Sequence, residues 1–88
     1  MTEDQFKQQA LEKGFGEPYV KEYPPHEDGE MHTHDATVMA MVTRGEFTLA
    51  LEGGSTTYTP GSSCELAAGT LHCERTGDEG ASLLIATK

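Results

Sequence analysis

The stretch Thr37-Val38-Met39-Ala40-Met41-Val42-Thr43-Arg44-Gly45-Glu46-Phe47-Thr48-Leu49-Ala50-Leu51 decides the fold. Its first seven residues are β-branched and apolar almost throughout, as in a strand buried on both faces. Side chains alternate across a strand, so Val38, Ala40 and Val42 share one face and Thr37, Met39, Met41 and Thr43 the other. Arg44-Gly45-Glu46 is expected to turn the chain. Phe47 to Leu51 then alternates, with large residues at 47, 49 and 51. Glu52-Gly53-Gly54-Ser55 reads as a hairpin turn. Thr56-Thr57-Tyr58-Thr59 is the returning strand, ended by Pro60-Gly61.

The same grammar continues on both sides. Downstream, Ser63-Cys64-Glu65-Leu66 is a brief strand before the turn Ala67-Ala68-Gly69. Leu71 to Arg75 is another, Thr76 to Gly80 a loop, and Ala81 to Thr87 the last strand. Upstream, Tyr19 to Tyr23 reads as a strand with both tyrosines on one face, stopped by Pro24-Pro25. Residues 26–30 form an acidic loop, and a short strand is expected around His32-Thr33-His34. Many short strands at regular turn spacing predict an all-β sandwich or barrel. Residues 2–13 differ, since they read as a helix. Thr2 caps its start with Gln5 three residues on, Phe6 and Ala10 share a face with Leu11 beside them, and Gly14 stops it. The expected organisation is a helix at 1–14 packed on a barrel at 15–88.

Size and charge narrow the function. The chain has 88 residues, 35% of them hydrophobic, and no Trp. A core this small is marginal, and pairing with a second copy buries more apolar surface. Met39 and Met41 lie opposite the expected pocket side. If the helix leaves that face open, a second copy is expected there, which predicts a homodimer. With 15 acidic against 6 basic side chains, net charge −9, the chain repels phosphate backbones and is not expected to bind nucleic acid. The longest apolar run, Val38 to Val42, is far too short to span a membrane. The first residues lack the basic start and apolar stretch of a signal peptide, so the expectation is a cytoplasmic protein. Cys64 and Cys73 form no metal or redox motif and are read as free thiols in or near the barrel wall.

Chemistry concentrates in three histidines. His32 and His34 are two apart and would share a strand face. His72, in Ala68-Gly69-Thr70-Leu71-His72, would come from another strand. Three imidazoles converging on one point make a half-shell suited to borderline divalent metals.

These features together resemble the cupin superfamily, the small jelly-roll β-barrels. That family's first motif is Gly, five residues, His-x-His, three residues, Glu, six residues, Gly; its second is Gly, five residues, Pro-x-Gly, two residues, His, three residues, Asn. His32, His34 and Gly45 fall in register with the first, and Gly61, Gly69 and His72 with the second. The resemblance covers roughly residues 19–87. It implies a jelly-roll barrel and a mononuclear site of His32, His34 and His72 for a divalent ion (Zn, Ni, Fe, Cu or Mn). Four positions depart from the motifs: His26 replaces the first Gly, Val38 the Glu, Ala67 the Pro and Thr76 the Asn. Val38 cannot ligate a metal, so the family's usual carboxylate is missing. His26, Glu30 and Glu74 are candidates to fill the gap, each read as solvated in the first instance, while Asp35 is expected to point away.

Two functions follow as expectations. The first is a metal-binding cupin acting on a small organic molecule, by dioxygenase-like or by hydrolase- or isomerase-like chemistry. The second is a non-catalytic module that binds or senses a small ligand, with Val38, Ala40 and Val42 lining an apolar pocket. No acid–base pair in the sequence fixes a reaction. Tyr58, Cys64 and Glu65 are read as wall residues.

Overall fold

A computed structural model describes residues 1–88. Its elements are α1 (Glu3–Glu12), β1 (Tyr19–Tyr23), β2 (Val38–Leu51), β3 (Gly54–Tyr58), β4 (Ser63–Leu66) and β5 (His72–Thr87). All strand pairs are antiparallel, in the order β1-β5-β2-β3, with β4 added to β2.

Two breaks expected from the sequence are absent. Arg44-Gly45-Glu46 does not end a strand, and neither does Thr76 to Gly80. Instead β2 and β5 run through as strands of 14 and 16 residues, and both irregularities fall at one point of their ladder. The register passes from Gly45↔Ala81 to Phe47↔Thr76, so residues 77–80 bulge out of β5. A bulge of glycine and charged residues has the composition of a turn, which is why alternation alone could not separate the two.

The bulge divides the ladder into two halves. The first half of β2 pairs with β4 and with the end of β5, which carries β1 on its far side. The second half pairs with β3 and with the start of β5. Backbone close approach makes the bend. Gly45 and Gly80 have φ of 78° and 70°, in the left-handed region that favours glycine. A Cβ on Gly45 would overlap the Gly80 carbonyl, and one on Gly80 the Tyr23 carbonyl. Arg44 clamps the outside, donating to the Glu79 carbonyl at 2.8 Å and to Ser82 Oγ at 3.2 Å.

The expected closed barrel is not formed. No ladder joins β1 or β4 to the strands of the other half, so the protein is an open, bent antiparallel sheet. Closure needs long-range pairing, which local alternation does not encode. The sheet still wraps a core of Ala40, Val42, Phe47, Leu49, Ala81, Leu83 and Ile85, with Tyr23, Val38, Tyr58, Cys64 and Leu66 packed against it.

The opposite face of β2 and β5 is covered by α1. Phe6 and Ala10 are fully buried against Met39, Met41, Leu84 and Ala86, with Phe15 completing the cluster. The helix begins with the expected capping box between Thr2 and Gln5. It ends in a Schellman motif, since Phe15 N–H donates to the Ala10 carbonyl and Gly14 N–H to that of Leu11. Leu11 lies on the solvent side rather than beside Phe6 and Ala10. The Met39/Met41 face is therefore not free for a second copy.

Candidate metal centre

His32 and His34 do not lie on a strand. Residues 24–37, with a turn at 25–26 and a bend at 35–36, cross the start of β5 held by two isolated bridges, Asp28↔Arg75 and His32↔His72. At the second bridge, His32 N–H donates to the His72 carbonyl at 2.7 Å and His72 N–H to the His32 carbonyl at 2.9 Å. Two residues on, the His34 carbonyl accepts from Gly69 N–H at 2.9 Å. The His-x-His segment is thus pinned on the two sides of His72, and the three rings converge without a strand beneath the first two. Ring centroids are 4.9 Å apart for His32 and His34, 4.5 Å for His32 and His72, and 4.9 Å for His34 and His72.

A fourth group completes the cluster. Residues 72 and 74 of β5 point to one face, so the Glu74 carboxylate enters beside His72. Its oxygens lie 3.1 Å from His32 Nε2, 3.7 Å from His72 Nε2 and 3.9 Å from His34 Nε2. One ligand atom from each of the four residues lies within 4.8 Å of every other. Reading Glu74 as solvated is therefore corrected, because its side chain is only 13% exposed. Period-two spacing from His72 was the available signal; the abundance of acidic residues in this chain obscured it. The carboxylate missing at Val38 on β2 is replaced by one from β5. His26 and Glu30 do not join the group. His26 is exposed, 3.3 Å from Asp78, with φ of 57°. Glu30 contributes its backbone carbonyl, which holds the His32 ring.

Hydrogen bonds fix the chemical state of two rings. His32 Nδ1 donates to the Glu30 carbonyl at 2.7 Å, and His72 Nδ1 to the Thr70 carbonyl at 2.8 Å. A carbonyl can only accept, so each Nδ1 carries a proton and each ring turns its Nε2 toward Glu74. Such backbone contacts orient metal-ligating histidines generally. Glu74 Oε2 is buried with no hydrogen-bond donor. Lone pairs and a carboxylate gathered around one point form a donor set for a cation. Ligand atoms about 2.1 Å from one ion are roughly 3–3.5 Å from each other, and the Glu74 oxygens lie 3.1–3.9 Å from the three Nε2 atoms, so a small inward shift closes the shell. Three imidazoles and one carboxylate suit Zn²⁺, Ni²⁺, Cu²⁺, Fe²⁺ or Mn²⁺.

The cluster opens onto a cavity of about 290 Å³. Val38, Ala40, Phe47, Leu66, Leu83 and Ile85 give it an apolar wall, and His34, His72 and Glu74 belong to its lining. Val42 lies in the core behind the wall instead. Asp35, expected to point away, lines the cavity, because alternation does not govern a segment that is not a strand. Tyr23 also lines it, and burial together with the Glu74 charge pushes its phenol well above the usual range. Both cysteines are free, Cys64 in the cavity wall and Cys73 buried in β5.

Residues 19–87 match the cupin domain family. No curated protein matches the chain in sequence. Among solved structures, a Rhizobium leguminosarum protein of unknown function aligns with a TM-score of 0.76 at 21% identity, over 81% of this chain and 67% of that one. A cupin-2 domain containing protein from Shewanella frigidimarina aligns at 0.66 and 17% identity, over 80% and 67%. The polyketide cyclase RemF from Streptomyces resistomycificus aligns at 0.66 and 23% identity, over 81% of this chain and 53% of that one. At these identities the likeness is one of fold.

Proposed function

Because the chain belongs to the cupin family, we propose that it is a mononuclear metal-binding cupin whose metal faces a small-molecule cavity. His32, His34, His72 and Glu74 would hold one divalent ion. One observation carries this reading: three imidazoles and the buried Glu74 carboxylate converge within 4.8 Å, and Glu74 Oε2 has no hydrogen-bond partner. Such a cluster is costly unless a cation sits within it.

A bound ion would supply Lewis acidity at the cavity wall, and a redox-active one access to dioxygen chemistry. The chain's own residues do the rest. The Glu30 and Thr70 carbonyls hold two rings in the ligating tautomer. The apolar wall excludes water and selects a small organic molecule, since about 290 Å³ is at the low end of ligand cavities. Oxidation, hydrolysis and isomerisation all fit such a centre. A non-catalytic ligand-binding role is the second reading. It is favoured by the cavity wall, which offers no second buried acid–base pair beside the cluster. We also keep the homodimer as a proposal, now through the open β1 or β3 edge.

Metal analysis of untagged protein tests the centre. Near-stoichiometric metal, lost in His72→Ala, supports it; protein that cannot be loaded with any of the five metals overturns it. Oxygen uptake and product analysis on small diketones, phenols and cyclic ketones then separate turnover from binding.

A further inference from the structure

We propose that the cavity takes a small organic anion with an apolar body, and that Lys21 recognises its carboxylate. This deepens the reading above and rests on the cavity beside the four-residue cluster being the ligand site.

Tyr19, Lys21 and Tyr23 alternate onto one face, and all three line the cavity. They lie in register with Ile85, Leu83 and Ala81 of β5. A lysine midway along that row breaks the alternation that the rest of the wall obeys. Such local violations concentrate at functional positions.

Lys21 is also free of acid partners. Three other cations are paired: Lys13 with Glu65, Arg44 with Glu22 and Arg75 with Asp28. Lys21 has no ion pair, in a chain with 15 acidic side chains and 6 basic ones. Its ammonium lies 5.1 Å over the Tyr23 ring, which holds the side chain along the wall and leaves its donors unspent. No other lysine or arginine lines the cavity.

Two carboxylates share that lining. Glu74 faces the imidazoles, where a divalent ion would offset it, and Asp35 is exposed at the rim, as Lys21 is, so water and salt screen the field of each. Lys21 is then the single cationic anchor above a wall of Val38, Phe47, Leu66, Leu83 and Ile85. An apolar body against that wall and a carboxylate on Lys21 would present the remaining end of the ligand to the cluster.

An inward lysine on an edge strand has another use, since it discourages edge-to-edge pairing. The two roles differ in what they discriminate. Titration calorimetry with benzoate, phenylacetate and 4-methylpentanoate, each against its neutral amide, reads the first. It is run on wild type, Lys21→Met and Lys21→Arg, in zinc-loaded and in chelator-treated protein. At least one acid should bind wild type more tightly than its amide. Lys21→Met should weaken that acid roughly tenfold, the usual worth of a charge-assisted hydrogen bond, and leave the amide unchanged. Lys21→Arg should restore most of the loss, and metal content should not change. Acids that bind no better than their amides overturn the proposal. So does Lys21→Met that binds acids like wild type, including the case where it only self-associates. A chain that takes up no metal defeats the metal centre alone, because the chelator-treated series still reads the acid–amide difference and its dependence on Lys21.

Discussion

Glu74 Oε2 lies 3.1 Å from His32 Nε2, yet this buried oxygen has no hydrogen-bond partner. The pair is unfavourable without a cation between the groups or a proton shared by them. Glu74→Gln separates these states, because its amide can donate to the imidazoles but is a poor metal ligand. Without metal, the variant is expected to be more stable than wild type by about 1 kcal/mol, as the buried unpaired carboxylate is gone. With saturating zinc the order should reverse, since wild type gains more from binding. Urea denaturation with and without chelator checks both signs. Wild type that is the more stable in chelator would show that the carboxylate is satisfied without metal.

The bend that gathers the site depends on a second close pair. Gly45 has φ of 78°, and a Cβ there would overlap the Gly80 carbonyl. Gly45→Ala combines left-handed strain with that overlap, so a loss of roughly 3 kcal/mol or more is expected. Gly53→Ala is the control. A Cβ on Gly53 meets nothing within 4 Å, and its cost should stay within about 0.5 kcal/mol. Equal denaturation midpoints for the two variants would contradict this account of the bend.

Local pattern made much of this legible. Alternation marks the two halves of the central strand, Thr37 to Thr43 and Phe47 to Leu51, though Arg44-Gly45-Glu46 reads as a turn between them, and Thr2 with Gln5 marks the helix start. The spacing of His32, His34 and His72 brought three rings to attention. What escaped was set by context. A bulge at 77–80 has the same residues as a loop, so sequence pattern divides one strand into two. An open sheet and a closed barrel share the same alternation. Glu74 was within reach of period-two reasoning from His72, yet solvation is the default for one acid among 15. Asp35 lies in a segment held by bridges rather than ladders, where alternation does not set the direction of a side chain.

Cys64 sits in the cavity wall, and burial raises its thiol above the usual 9.0, with Glu65 adding to this and the Tyr58 hydrogen bond opposing it. The native thiolate is therefore scarce at neutral pH. Alkylation by iodoacetamide at pH 7.5 should be at least about tenfold slower than for free cysteine, as expected of a thiol without thiolate character. The sign for stability follows from linkage. The unfolded thiol ionises first as pH rises, so the contribution of the neutral thiol is complete below pH 9 and is lost above it. Cys64→Ala should flatten the fall of stability above pH 9. An unchanged alkaline slope would rule this out.

Phe6 is fully buried between α1 and the outer face of the sheet, against Met39, Met41 and Leu84. A buried phenylalanine cut to alanine costs about 3–5 kcal/mol, a large share of a small domain's stability of about 5–15 kcal/mol. Phe6→Ala is expected to lose that much and to loosen the helix, which uncovers the two methionines. An exposed apolar face on an edge-bearing sheet then favours self-association. Leu11→Ala, on the solvent side of the same helix, should change stability by less than about 0.5 kcal/mol. Sedimentation of Phe6→Ala and Leu11→Ala at micromolar concentration, beside urea midpoints, reads both effects. Should Phe6→Ala keep both its midpoint and the sedimentation behaviour of Leu11→Ala, the helix does not shield this face.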